Sequence, residues 1–432
     1  MSRFYLIAIL GSIGLGISNA NQLFAQNFVA NYDESKIAPY TLPDPLITED
    51  GDKVTDAKTW SRMRRPELLE LFATQVYGTA PEPCKLTHRL ISTHENAVQG
   101  KAIRREVDVH FGSSADAPAM RLLIYTPKSA DGAVPAFLTL NFQGNHSVDP
   151  DPTISLNASW MRSKKGMVVE NRATEAARGV AASRWPIEMI VDRGYALVTI
   201  YYGDIDPDFD DGFENGIHGH LKSEAESIPA KQRWGSIAGW AYGLSRALDY
   251  LETDERIDGS SVAVFGHSRL GKTALWAGAS DPRFKMVISN NSGCGGAALS
   301  RRAIGETIGR INSSFPHWFC DNYLQFNENE SACPVDQHQL IALIAPRAVY
   351  VASATEDRWA DPKGEFLSMV KADPVYRLLG TDGMGSDQAP AKMPVPDNAI
   401  KTGTMGYHLR TGKHNVTDYD WNQYLDFADK HL

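Results

Sequence analysis

Residues 266–272 read Gly-His-Ser-Arg-Leu-Gly-Lys. The apolar run 262–265 just before them has the length and β-branched character of a buried strand, and 270–276 read as a helix. Ser268 therefore sits on a sharp turn between strand and helix. Such a turn holds the serine in a strained backbone, lifts its hydroxyl clear of the sheet and points a helix N-terminus at the reacting carbonyl. This is how a serine is presented for nucleophilic acyl transfer. The usual form is G-x-S-x-G, whereas Gly271 comes one residue late, so an ordinary glycine-containing turn is the alternative, and the remaining residues must arbitrate.

A nucleophilic serine needs a histidine base and an orienting acid, which on this architecture follow it in the order acid, then histidine. Residues 349–353 form a strand pattern that runs into Ala-Thr-Glu-Asp, and Asp357 stands where the acid belongs. His408 and His414 both follow the last strand pattern. His408 lies inside the apolar stretch 405–409 and reads as packed, while His414 follows Gly412 and Lys413 at a turn before the final helix and is the favoured base. The developing oxyanion needs preorganised donors. The Arg269 backbone N–H is one, and the loop 142–145, Phe-Gln-Gly-Asn, is expected to supply the other. The Arg269 guanidinium adds positive charge at the edge.

The elements that must position these groups alternate along the chain. Residues 64–72 are a proline-started amphipathic helix, and 103–111 and 119–125 read as the antiparallel opening of a sheet. Buried strands are expected at 134–142, 194–202, 284–289 and 346–353, with helices at 186–192 and 417–432. The clearest helix is 234–251, with Ile237, Ala241, Leu244, Leu248 and Leu251 on one face. Strands alternating with helices predict an α/β protein with the α/β-hydrolase fold, a three-layer αβα sandwich around a mainly parallel sheet. Two stretches, 147–181 and 204–230, are too long for ordinary connections and read as surface insertions, the first over the site.

Of the 432 residues 43% are hydrophobic and 22% charged, a globular composition. A net charge of -9 without a long basic run argues against a nucleic-acid partner. Residues 1–20 combine a basic start, an apolar core and a small-x-small end, hence a secretory signal peptide, with cleavage after Ala25 as the alternative. The rest, 26–432, is expected to be one catalytic domain, exported to periplasm or medium, off the membrane and monomeric. Four cysteines are too few for a disulfide framework, although Cys320 and Cys333 flank a polar loop and could pair. With no C-x-x-C and no H-E-x-x-H, neither a metal nor a cofactor is expected.

Residues 266–272 resemble the G-C-S-R-x-G-K signature of the glucuronoyl esterases, carbohydrate esterase family 15, in which the late glycine is the normal form. Trp60 with 64–67, Ser-Gly-Cys-Gly-Gly at 292–296, Phe-Pro-His-Trp-Phe-Cys-Asp-Asn at 315–322 and Asp-Arg-Trp-Ala-Asp-Pro at 357–362 look like its bacterial members. The resemblance spans nearly the whole mature chain. It implies hydrolysis of the ester between 4-O-methyl-glucuronic acid on glucuronoxylan and a lignin alcohol. Ser268 would be nucleophile, His414 base and Arg269 oxyanion donor, with Lys272, Glu306 and Trp359 holding the glucuronate ring. Two positions depart from the pattern: His267 replaces the signature Cys, and Asn291 stands where many members carry the catalytic Glu. An amide cannot stabilise imidazolium as a carboxylate does, so the acid role moves to Asp357, as in some bacterial members. The rival readings are another exported carbohydrate esterase, of acetyl xylan esterase type, and an inactive sugar-binding relative.

Overall fold

The computed structural model describes residues 28–114, 117–385 and 388–432. The segment read as a signal peptide, with both cleavage points, lies outside the described residues. Eleven strands are described: β1 (Thr87–Asn96), β2 (Ala102–His110), β3 (Ala119–Pro127), β4 (Val134–Asn141), β5 (Val168–Val169), β6 (Arg172–Ala173), β7 (Ala196–Tyr201), β8 (Ile257–His267), β9 (Met286–Asn290), β10 (Ala348–Ala354) and β11 (Met405–Arg410). Nine of them make one sheet in the order β1-β2-β3-β7-β4-β8-β9-β10-β11, and β5 and β6 pair apart. β1, β2, β3 and β7 are joined antiparallel, and every pairing from β7 through β4 to β11 is parallel.

The parallel half is buried on both faces, which is why its strands read as continuous apolar runs. Along β8, Val262 and Val264 join one core while Ala263 and Phe265 join the other, as the period of two requires. The first core is closed by helices Arg65–Phe72, Ser236–Leu251, Arg269–Ser280, Gln337–Ala342 and Pro362–Leu378. The second is closed by Ile187–Asp192 and Asp418–His431. This is the three-layer αβα sandwich of the α/β-hydrolase fold.

Helix Pro362–Leu378 escapes the periodicity reading because Pro374 lies inside it and charged residues interrupt its apolar face. It delivers Glu365 into the core. One carboxyl oxygen accepts from the Ser292 and Gly293 backbone N–H groups (2.8 and 3.0 Å), and the other lies 2.6 Å from Ser353 Oγ. Glu365 thus ties the loop after β9 to the end of β10.

The 147–181 stretch is fastened to the antiparallel half by Arg104–Asp151 (2.6 Å) and Tyr125–Asp149 (2.7 Å), with Ser147, Val148 and Ile154 buried, and Arg162 reaches the site's edge, donating to the Asp208 carbonyl (3.0 Å). Two expectations change. The 204–230 stretch is only partly a surface insertion, because Asp206 and Asp208 are buried and bonded inward. Cys320 and Cys333 are both free thiols, and Cys320 Sγ donates instead to the Thr74 carbonyl (3.7 Å).

Burial pushes the Glu365 carboxyl up to about 8, against an ordinary 4.5. A carboxyl raised on folding binds a proton in the native state that the unfolded chain has released, so stability falls as pH rises between those values and levels off above them. Thermal midpoints of the wild type should decline from about pH 4.5 to 8, and Glu365→Gln should flatten that decline. An unchanged slope in the variant would assign the pH dependence elsewhere.

Candidate active site

Ser268 directly follows β8 with φ 58° and ψ -129°, a region that non-glycine residues occupy only under constraint. The constraint is steric. A Cβ on Gly266 would lie 1.8 Å from the Leu270 carbonyl oxygen, so the helix Arg269–Ser280 crosses the strand end at a distance only glycine permits. A Cβ on Gly271 would meet Ser292 and Ser289 at 3.0 and 3.1 Å, so the late glycine lets the same helix settle on β9 and its loop. The displaced second glycine therefore serves the same close packing as in the usual elbow. Ser268 O accepts from Gly271 N–H (2.8 Å), and Arg269 opens the helix, where backbone N–H groups lack intrahelical acceptors.

Asp357 follows β10 and His414 follows β11, strands paired in parallel, so their ends bring the two loops together. His414 Nδ1 donates to Asp357 Oδ2 at 2.6 Å. Asp357 is buried, while the His414 side chain is 41% exposed. Nδ1 is thus committed to the acid and Nε2 is left for the serine side. His408 is core: fully buried in β11, it holds Asp420 (2.9 Å) through Nε2 and Tyr350 Oη (3.0 Å) through Nδ1.

Ser268, Arg269, Asp357 and His414 border a cavity of about 350 Å³ together with Lys272, Glu306 and Trp359. All seven residues singled out from sequence meet there. Lys272 Nζ donates to Ser292 O (2.5 Å) and lies 3.5 Å from Glu306 Oε2; both side chains are nearly buried. Trp359 is 38% exposed on the rim. Asn291 also lines the cavity, with φ 48°, and neither polar atom of its buried amide has a partner. The loop 142–145 does not border this cavity. Phe142 and Gln143 line a separate space of about 20 Å³, and Asn145 is turned to Asn141 and Arg121. The Phe142 ring still reaches the site's edge, 5.5 Å from the Arg269 guanidinium.

His267, where the signature has Cys, packs against His414 with ring centroids 4.4 Å apart and planes inclined at 41°, and its Nδ1 faces Asn290 Oδ1 at 2.6 Å. Burial, then the proximity of His414, holds the His267 imidazole well below its ordinary value, so it packs there as a neutral ring.

Sequence reasoning missed the group that aims Arg269. Asp208 is buried, pairs with the Arg269 guanidinium, and accepts from Trp318 Nε1 (2.8 Å), His317 Nε2 (2.9 Å) and Tyr202 Oη (2.9 Å). Burial alone would push its carboxyl up, but the His317 hydrogen bond and the Arg269 charge outweigh it and hold it well below the carboxylate range. The guanidinium also lies 4.9 Å from the Trp318 ring, which stacks on Phe315 at 3.8 Å. Nothing in the run Asp-Ile-Asp-Pro-Asp-Phe-Asp-Asp at 204–211 marks Asp208 out from its neighbours. Among the described residues no cluster of His, Cys, Asp or Glu could hold a metal ion, and no helix is long and apolar enough to cross a membrane.

Comparison with known proteins adds an independent finding. A family model described as glucuronyl esterase, fungi, matches residues 228–380. The chain is 54% identical over 414 residues to "Carbohydrate esterase MZ0003" from an unknown prokaryotic organism, covering 95% of this chain and 94% of that one. Its fold matches a promiscuous CE15 esterase from a marine bacterial metagenome with a TM-score of 0.87, at 53% identity over 94% of this chain and 100% of that one. It matches the glucuronoyl esterase from Solibacter usitatus with a TM-score of 0.85, at 45% identity over 92% and 100%.

Replacing Asp208 by Asn keeps the shape and removes the charge that anchors Arg269. A charge-assisted hydrogen bond is worth roughly 1.5–3 kcal/mol, so kcat on an activated aryl ester should fall about 10- to 100-fold. A variant with wild-type kcat would show that Arg269 holds its place without Asp208.

Proposed function

The chain belongs to carbohydrate esterase family 15, the glucuronoyl esterases, and is a carboxylic ester hydrolase; from that premise we propose that it hydrolyses the ester between 4-O-methyl-glucuronic acid of glucuronoxylan and a lignin alcohol, through an acyl-enzyme on Ser268. The observation that carries the reading is the 2.6 Å His414–Asp357 bond at the mouth of the cavity that also holds Ser268, Lys272 and Glu306.

In this reading His414 Nε2 takes the Ser268 proton as the hydroxyl attacks the uronate carbonyl. Negative charge that develops on the carbonyl oxygen meets the Arg269 backbone N–H and the guanidinium that Asp208 holds. Asp357 stabilises the imidazolium, which then protonates the leaving alcohol. Water, deprotonated by His414, releases glucuronate from Ser268. Lys272 and Glu306 offer donors and an acceptor to the sugar hydroxyls, and Trp359 offers an aromatic face to the ring. The acid part of an acetyl ester has no hydroxyls for this ion pair to hold beside Ser268, whereas a uronate does, which favours the uronate over the acetyl xylan esterase reading. The assembled His–Asp pair speaks against an inactive sugar-binding relative. We further propose that residues 1–20 direct export, that 26–432 act as one catalytic domain, and that the mature protein works as a monomer without a cofactor.

Purified protein should cleave benzyl glucuronate, and Ser268→Ala should not. Lys272→Ala should lower kcat/KM on that ester more than on an acetylated sugar; equal losses would make Lys272 structural.

Asn291 carries no charge, so Asp357 is the carboxylate on which His414 depends. Loss of the orienting carboxylate of a triad costs on the order of 10⁴ in kcat. Asp357→Asn should approach inactivity on benzyl glucuronate, and Asn291→Glu in that background should restore part of it. Near wild-type turnover in Asp357→Asn would move the acid role to Glu356.

A further inference from the structure

His414 stands on the loop 411–415, between β11 and the helix Asp418–His431. Its side chain is 41% exposed, so close packing does not hold the ring in place and the loop backbone must. Arg410, the buried last residue of β11, turns its guanidinium onto this loop. Its Nη1 donates to the Thr411 carbonyl (2.9 Å), and its Nη2 to the Lys413 (2.8 Å) and Asn415 (3.2 Å) carbonyls. One guanidinium nitrogen thus holds the peptide groups on both sides of His414. Gly412 lets the loop fold over it: its φ is 117°, and a Cβ there would lie 2.9 Å from Arg410 Nη1.

The guanidinium is aimed in turn by Asp420, in the first turn of the helix that follows. Asp420 is fully buried and lies 3.0 Å from Arg410 Nε. The same carboxylate pairs with His408 Nε2 (2.9 Å) and accepts from the Thr417 N–H and Oγ1 (both 2.7 Å), so strand, loop end and helix all fix it. Burial alone would push this carboxyl up, but the His408 hydrogen bond and the nearby Arg410 charge outweigh it and hold it below its ordinary value. A second link leaves Asp420 through an amide. Asn290 Nδ2 points to it at 3.4 Å, Asn290 Oδ1 faces His267 Nδ1 at 2.6 Å, and the His267 ring packs against His414. A planar guanidinium presents its donors in a rigid fork, which suits it to several carbonyls and a carboxylate at once.

We propose that Arg410 and Asp420 are positioning residues for the base: the carboxylate fixes the guanidinium, and the guanidinium sets the backbone from which the His414 imidazole reaches Ser268. The proposal rests on the reading of His414 as base given above. Neither residue borders the cavity, so their effect on the reaction travels through His414. A catalytic group displaced by about 1 Å can lose on the order of 100-fold in rate. Substrate binding, which falls to Lys272, Glu306 and Trp359, should not feel that displacement.

The test measures hydrolysis of benzyl glucuronate and of an activated aryl ester by the whole protein, so that a wrong substrate does not hide a misplaced base. Arg410→Met should lower kcat about 100-fold with KM unchanged, and Arg410→Lys, which keeps the charge but not the fork, should recover part of the loss. Asp420→Asn should also lower kcat, and adding it to Arg410→Met should cost little more, since both break one link. In a His414→Ala background Arg410→Met should leave the residual rate unchanged, because the base it serves is gone. Wild-type kcat in Arg410→Met, or the same loss in both backgrounds, overturns the proposal. Should the methionine variant fail to fold, Arg410→Lys carries the same comparison. If His414→Ala turns over at the wild-type rate, the base reading fails instead, and Lys-specific proteolysis after Lys413 decides whether Arg410 fastens the loop. Faster nicking in Arg410→Met than in wild type upholds the clamp; equal nicking overturns it.

Discussion

The close crossing of helix Arg269–Ser280 over the end of β8 is the constraint on which the rest depends. Because Gly266 lets the Leu270 carbonyl come where a methyl would collide, the intervening turn is so tight that Ser268 must take a positive φ. That single strained residue, costing about 1–3 kcal/mol, is held by packing on both sides: the strand is central in a nine-stranded sheet and the helix is buried along most of its length. A sheet edge could not supply such restraint. The parallel strands then place the loops after β9, β10 and β11 around the serine, since parallel strands all end on one side.

A layer of buried carboxylates holds the polar groups around the turn. Asp208 binds the arginine beside the serine, Asp357 binds the histidine, and Glu365 gathers the peptide N–H groups of Ser292 and Gly293, whose loop presents the Ser292 carbonyl to Lys272. Each solves the same problem, an acidic group taken out of water, in a different way. Asp208 stays ionised because hydrogen bonds and a guanidinium surround it, whereas Glu365, deeper and without a cation, is pushed toward its neutral form. The position before the serine follows the same economy: a neutral imidazole packs at a tilt against His414 and fills space without adding charge.

Two separate cavities flank the 305–306 and 358–359 ridge on the active face. Its backbone-to-backbone ties make the ridge rigid without side-chain filling, so aromatic and charged groups on it can face outward in both directions.

The amino-acid sequence by itself determined the layer order, the strand–turn–helix around Ser268 and the placement of Asp357 and His414 just past two strands. These are local signals: apolar runs, a helix with one apolar face, and chemistry-bearing residues just past them. That His408 packs in the core while His414 borders the cavity was also legible, since His408 sits in an apolar strand and His414 at a glycine turn. Only the tertiary structure decided which of the acids in 204–211 carries Arg269, that Asn145 turns to Asn141 and Arg121, that 147–181 fastens to the antiparallel strands, and that Cys320 and Cys333 stay apart. Each of those outcomes depends on partners far along the chain, such as Asp208 with Trp318 or Arg104 with Asp151. A buried carboxylate and an exposed one look identical in a row of letters. Burial and pairing are properties of the folded surround, and they decide whether an acid is a solvated surface charge or the anchor of a site.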